Sequence, residues 1–145
     1  MAPLTLKIVV VGGGIAGLAT AIALRRGGHE VIVLGQSRFS SEIGAAIHCA
    51  PNATRVLDKA LGFDFEKAGA VQNARCLLSD GNTAKVMADM DVSHLVSEYG
   101  HPWYFFHRVD LRGALKELAF GDGDGPPAQL NLQAKAVSMV YRDLS

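Results

Sequence analysis

The sequence predicts an α/β fold that opens with a parallel βαβ unit, and three observations carry the prediction. Residues 6–11 form an almost wholly apolar run ending in IVVV, the pattern of a strand buried on both faces. A glycine-rich turn follows at once, Gly12-Gly13-Gly14-Ile15-Ala16-Gly17, and passes directly into an apolar pattern with helical spacing. A second apolar run, EVIVL at residues 30–34, completes a unit of about 30 residues, the size expected of strand, helix and parallel strand.

Within that unit the helix is predicted over 14–26, with Ile15, Leu18, Ala19 and Ile22 on one face. Gly27-Gly28 ends it by supplying left-handed backbone. Residues 35–41 are turn-rich, and 42–47 read as a loop leading to a short strand. Pro51 suits the first turn of a helix over 51–61, which Gly62 stops. Residues 75–78 and 84–87 flank Ser79-Asp80-Gly81-Asn82, a hairpin signal through Asp-Gly. A strand is predicted over 103–107. Asp110 is placed as the cap of a helix over 111–120, with Leu111, Leu115 and Leu118 on its buried side. Residues 121–127, GDGDGPP, form a loop, and 129–141 give one or two strands.

Composition narrows the function classes. The chain has 145 residues, is 49% hydrophobic, and carries 14 basic against 14 acidic side chains. That is a soluble globular domain with no charge pattern for nucleic acid. The uncharged run over 8–24 is short for a bilayer span and is broken by three glycines, so neither a membrane helix nor a secretory signal is expected. A cytoplasmic location follows. Cys49 and Cys76 are too few for a disulfide framework and read as buried thiols. The five histidines show no metal-ligand spacing.

The glycine turn has the spacing G-x-G-x-x-G in the strand–turn–helix setting that binds dinucleotides in Rossmann-like folds. Gly12 permits the tight turn, Gly14 removes a side chain where a pyrophosphate approaches the backbone, and Gly17 lets the helix pack closely on the strand. The helix N-terminus then offers N–H groups and partial positive charge to the phosphates. An acidic residue is expected at the end of the second strand to hold the ribose hydroxyls, but that place is Gly35, followed by Gln36, Ser37 and Arg38. Loss of such a charge-assisted bond costs roughly 1.5–3 kcal/mol. Either Gln36 partly replaces the acid, or Gly35 with Arg38 favours a 2′-phosphate and hence NADP.

The segments 12–24 and 30–34, then Glu42-Ile43-Gly44-Ala45-Ala46-Ile47, Pro51-Asn52-Ala53-Thr54-Arg55-Val56-Leu57 and His107-Arg108-Val109-Asp110-Leu111, resemble the N-terminal portion of FAD-dependent aromatic-ring monooxygenases. The likeness is to salicylate-hydroxylase-like enzymes of the para-hydroxybenzoate hydroxylase fold. It implies a partial FAD-binding domain over 1–145. Residues 1–70 would hold the βαβ unit and a flavin-side loop, 71–105 an added β-hairpin segment, and 106–145 a helix and strands returning to the FAD domain. The fold would be incomplete relative to that of the full family.

By the same resemblance Gly12, Gly14 and Gly17 hold the ADP pyrophosphate of FAD, and Gly35 stands in the place of the ribose-binding glutamate. Ala46 lies in the small-residue loop beside the flavin, and Arg108 points its guanidinium at the pyrophosphate and ribityl region. The implied chemistry is hydroxylation of a small aromatic, often phenolic, substrate with NAD(P)H and O2, and no catalytic side chain is identified. The family's later Asp-Gly and Gly-Asp segments have no counterpart at matching positions, which implies a truncated or split chain and a complementary polypeptide supplying the rest. Two other readings stand beside it: an NADP-binding reductase fragment, and a non-catalytic, vestigial nucleotide-binding fold.

Overall fold

A computed structural model describes residues 4–36 and 44–140. The chain divides into two compact units, one of residues 1–43 with 115–145 and the other of residues 44–114.

The first unit contains the βαβ motif. Strand β1 (Lys7–Val11) leads through the glycine turn into helix α1 (Ile15–Arg26), and β2 (Glu30–Gly35) returns parallel to β1, with Ile8 opposite Val31 and Val10 opposite Val33. Strand β8 (Gln129–Leu132) joins β2 in parallel on its other side, giving the order β1-β2-β8. Leu18, Ala21, Ile22, Val31 and Val33 are buried. Glycine ends α1 as expected, but the left-handed residue is Gly28, at φ 83°, while Gly27 stays right-handed. The expectation of a doubly buried first strand is corrected. Among the described residues β1 is an edge strand, and Val9 and Val11 are 55% and 64% exposed.

Arg25 is the least expected core residue of this unit, at 1% exposure. One guanidinium nitrogen donates to the carbonyls of Leu118 (2.7 Å), Ala119 (3.2 Å) and Gly121 (2.8 Å), and the other donates to that of Gly125 (2.9 Å). The first two acceptors belong to the last turn of helix α4 (Arg108–Phe120). Arg25 therefore caps that helix end and closes the glycine-rich loop on itself. A planar cation suits a helix C-terminus, where carbonyls lack intrahelical partners and the dipole is negative.

The second unit holds a three-stranded antiparallel sheet in the order β3-β7-β4 (Ala46–Cys49, Tyr104–His107 and Val71–Gln72). Helix α2 (Pro51–Lys59) starts with proline in its first turn. A separate hairpin pairs β5 (Arg75–Ser79) with β6 (Val86–Asp91). The hairpin is where Asp-Gly placed it, and its turn is organised by Asp80. Asp80 accepts hydrogen bonds at one carboxylate oxygen from the Asn82 N–H (3.1 Å), the Thr83 N–H (2.8 Å) and the Thr83 hydroxyl (2.8 Å). These bonds hold its carboxyl below the ordinary range, and the left-handed residue is Ala84, at φ 55°, not Gly81.

Further corrections concern the segments around this sheet. The 108–120 helix begins at Arg108, so Asp110 lies in its first turn and is not its cap. Helix α3 (Leu95–Tyr99) arises from a short segment that carries no clear helical pattern. Only residues 129–132 of the predicted 129–141 form a strand among the described residues.

Candidate functional site: a glycine cradle and an aromatic sheet face

Four of the six predicted site residues lie in the first unit, around the carboxyl ends of β1 and β2. Gly12 has φ 109°, a conformation open to glycine and strained for any L side chain. Its N–H donates to the Leu34 carbonyl at 2.8 Å, locking the turn to the end of β2. A Cβ on Gly17 would fall deep inside contact distance of the Gly12 carbonyl oxygen and 3.0 Å from its carbon, so the helix packs on the turn only because residue 17 is glycine. A Cβ on Gly14 would meet no protein atom within 4 Å. The second glycine thus keeps clear a space that the protein itself does not fill.

Gly14 is also the N-cap of α1, with extended backbone, no side-chain cap and no acidic residue in the following turn. The first N–H groups of the helix have no intrahelical acceptor, and no carboxylate of that turn competes for them. These three properties fit a pyrophosphate. Gly35 is buried in β2, pairs with Leu132 of β8, and its carbonyl accepts from the Ala134 N–H at 3.1 Å. Gln36 is exposed, while Ser37 and Arg38, named for the alternative NADP reading, lie outside the described residues, as do Glu42 and Ile43 of the flavin-side loop.

Ala46 and Arg108 lie in the second unit and are neighbours there. Ala46 pairs with His107 across β3 and β7, and the Arg108 N–H donates to the Ala45 carbonyl at 3.0 Å. Arg108 is exposed and is the first residue of α4. A cation at the positive end of a helix gains nothing from the helix itself, which favours a ligand as its partner. His107 packs over Gly44, where a Cβ would collide with the imidazole ring.

Residues 103–106, WYFF, are one aromatic run in the sequence, and strand alternation divides it. Tyr104 and Phe106 face inward, where Tyr104 stacks on Phe65 (4.9 Å between centroids) and Phe106 meets Phe63 edge-on (6.0 Å). Trp103 and Phe105 face the other way with His48, at 5.4 Å and 6.3 Å. The segment before β7 is fixed to α2 by two bonds. The buried Thr54 hydroxyl donates to the Pro102 carbonyl at 2.8 Å, and His101 Nε2 lies 3.1 Å from Asp58 Oδ2.

The hydrogen bond with His101, then that with Lys59, holds the Asp58 carboxyl below its ordinary range. A carboxylate depressed in this way stabilises the fold above its unfolded pKa of about 3.9 and loses that contribution as pH falls through the lower folded value. His101→Phe is therefore expected to return the Asp58 titration, followed by carboxyl NMR, toward the ordinary value. It should also move the acid unfolding midpoint upward.

Cys49 is buried, which pushes its thiol up and makes it a poor nucleophile, whereas Cys76 is only half-buried. Among the described residues no three His, Cys, Asp or Glu side chains gather as a metal site, and no helix is long and apolar enough to cross a membrane.

Residues 7–52 match the FAD binding domain family. Hispidin-3-hydroxylase of Neonothopanus nambi is 39% identical over 129 residues, which cover 88% of this chain and 30% of that enzyme. The 3-hydroxybenzoate 6-hydroxylase 1 of Aquipseudomonas alcaligenes is 37% identical over 119 residues, covering 81% of this chain and 30% of its own length. The crystal structure of p-nitrophenol 4-monooxygenase PnpA from Pseudomonas putida DLL-E4 superposes with a TM-score of 0.74 at 23% identity. That match covers 90% of this chain and 33% of the neighbour, and it shows the shared fold. The chain thus spans about 30% of the length of these curated relatives.

Proposed function

We propose, from the premise that this chain is an N-terminal portion of the FAD-dependent aromatic-ring monooxygenase family, that it holds the ADP side of FAD for hydroxylation of a small aromatic molecule with NAD(P)H and O2. The observation that carries the reading is the glycine cradle: positive φ at Gly12, open space at Gly14, and backbone contact enforced at Gly17. When bound, FAD supplies the redox chemistry that passes one oxygen atom to the ring.

The chain's own residues bind and orient. The turn and the first N–H groups of α1 take the pyrophosphate, with no side chain of that turn in the way. Arg108 adds a permanent cation with a planar donor fork for phosphate oxygens. Ala46 keeps the backbone beside the flavin free of bulk. With Gly35 where an acid is usual, the ribose contact falls to Gln36 or to backbone, and affinity rests more heavily on the phosphates. Catalysis belongs to the whole protein, because a flavin pocket draws convergent groups from more than the 30% of relatives' length matched here. A polypeptide carrying the remainder, in cis or in trans, is the expected partner.

The test is the visible spectrum and released cofactor of the purified chain. Flavin absorbance with FAD recovered by extraction is the expected result. A colourless protein that binds NADPH at micromolar affinity would overturn it in favour of the reductase reading, and a folded chain that binds neither nucleotide would favour a vestigial fold.

A further inference from the structure

Among the described residues two that are not glycine have left-handed backbone, Ala84 at φ 55° and Gln133 at φ 56°. Ala84 belongs to the turn between β5 and β6, where its N–H donates to the Asp80 carbonyl at 2.9 Å. Gln133 has no hairpin to account for it. It directly follows β8, whose last residue, Leu132, pairs with Gly35 at the end of β2. One residue further on, the Ala134 N–H donates to the Gly35 carbonyl at 3.1 Å. Leu132 and Ala134 are thus both held against Gly35, and Gln133 is the one residue between them, at the carboxyl end of the sheet. It is exposed, as is Gln36, which follows Gly35 on the neighbouring strand.

Glycine takes the left-handed conformation freely, whereas a residue with a Cβ is strained there. Strain of this kind gathers at ligand sites, and Gln133 stands where a side chain has a use. Ligands of open α/β sheets lie outside the carboxyl ends of the strands. The order β1-β2-β8 sets three such ends side by side: the glycine cradle after β1, Gly35 ending β2, and Gln133 after β8. Gly35 brings no side chain to the middle place, where an acid usually holds the ribose of a dinucleotide. Neighbouring strands are about 4.8 Å apart, within the reach of a glutamine side chain.

We propose that Gln133 makes the missing contact from the adjacent strand, its carboxamide holding the vicinal hydroxyls of the adenosine ribose. The ligand comes from the dinucleotide reading above, on which this assignment rests; the residue and its chemistry go beyond that reading. The amide oxygen accepts from one hydroxyl while the NH2 group donates to the other. The contact is therefore neutral. A carboxylate in this place would repel a 2′-phosphate, whereas a carboxamide offers it N–H donors, so the site tolerates either form of the ribose.

ADP is the probe, since it carries the ribose and the pyrophosphate without the flavin. Its 2′-deoxy form lacks one of the two hydroxyls. By calorimetry the chain is expected to bind ADP about threefold or more tightly than 2′-deoxy-ADP. Gln133→Gly relieves the backbone and removes the carboxamide. That variant should melt at or above the parent's temperature, bind ADP about fivefold more weakly, and no longer distinguish the two nucleotides. Gln133→Glu restores an acid and should tighten ADP while weakening ADP that carries a 2′-phosphate. A residue with only a structural role would change the melting temperature and leave this discrimination alone.

Equal binding of ADP and 2′-deoxy-ADP by the parent would overturn the assignment, as would a Gln133→Gly chain that keeps the parent's affinity and preference. Extracted flavin separates the two ideas. ADP binding that depends on Gln133, in a chain without flavin, refutes the FAD reading and leaves the ribose contact standing. A flavin-bearing chain whose Gln133→Gly variant holds FAD and ADP like the parent refutes the ribose contact alone. A folded chain that binds neither ADP nor FAD refutes both.

Discussion

Gly17→Ala is expected to lower both stability and flavin uptake, the first by about 2–3 kcal/mol and the second by at least tenfold. The added methyl would fall deep inside contact distance of the Gly12 carbonyl oxygen, a main-chain atom that cannot swing aside. No rotamer change relieves such a clash, so either α1 lifts away from the turn or Gly12 leaves its φ of 109°. Each response moves the N–H groups that address the phosphates. Gly14→Ala provides the contrast. Its backbone is already extended and its methyl meets no protein atom, so the melting temperature should stay near the parent's while FAD retention falls. Thermal melts and extracted FAD, measured on both variants, check the pair. A Gly14→Ala chain that retains FAD like the parent would show that the pyrophosphate does not approach where the cradle is open.

Arg25→Met should be the most damaging single change away from the cradle, because each buried carbonyl left without a donor costs about 1–3 kcal/mol. The variant deprives four carbonyls of a donor at once. It also removes the side-chain cap from the end of α4, where the Ala119 carbonyl keeps only the Ala128 N–H and the Glu117 carbonyl the Gly121 N–H. Arg25→Lys should recover only part of the loss, because one ammonium cannot span acceptors served by two guanidinium nitrogens. Denaturant unfolding of the three proteins gives the comparison. Against a typical domain stability of about 5–15 kcal/mol, the methionine variant would be marginal at best. An unchanged unfolding midpoint for Arg25→Met would contradict the capping role.

These two sites differ in how far the sequence reveals them. Gly12, Gly14 and Gly17 are legible because a turn, a close approach and a helix contact each exclude a side chain, and only glycine meets all three needs. Arg25 is opaque because its partners are carbonyls, which every residue owns, so nothing at 118–125 marks them as acceptors. The same holds for β8. Its parallel pairing with β2 joins residues about a hundred positions apart, and local alternation says nothing of that choice. The Asp-Gly pair located a hairpin, but only the structure shows that its turn is held by Asp80 bonding to Thr83. The aromatic run 103–106 was visible as a cluster, and only the register of β3, β7 and β4 shows which rings serve the core and which face outward.

The position of β1 has a consequence for handling the chain. Its sequence, KIVVV, has high β-propensity, contains no proline, and carries a single charge at its first residue. Among the described residues only one side of its ladder is used, by β2. The other side presents a row of amides and carbonyls flanked by bare valines, which is a template for any strand that meets it. Loss of soluble protein at high concentration should therefore begin at this edge, by strand addition from native molecules and without unfolding. A lysine in place of Val9, outside the glycine turn, would act as a gatekeeper there.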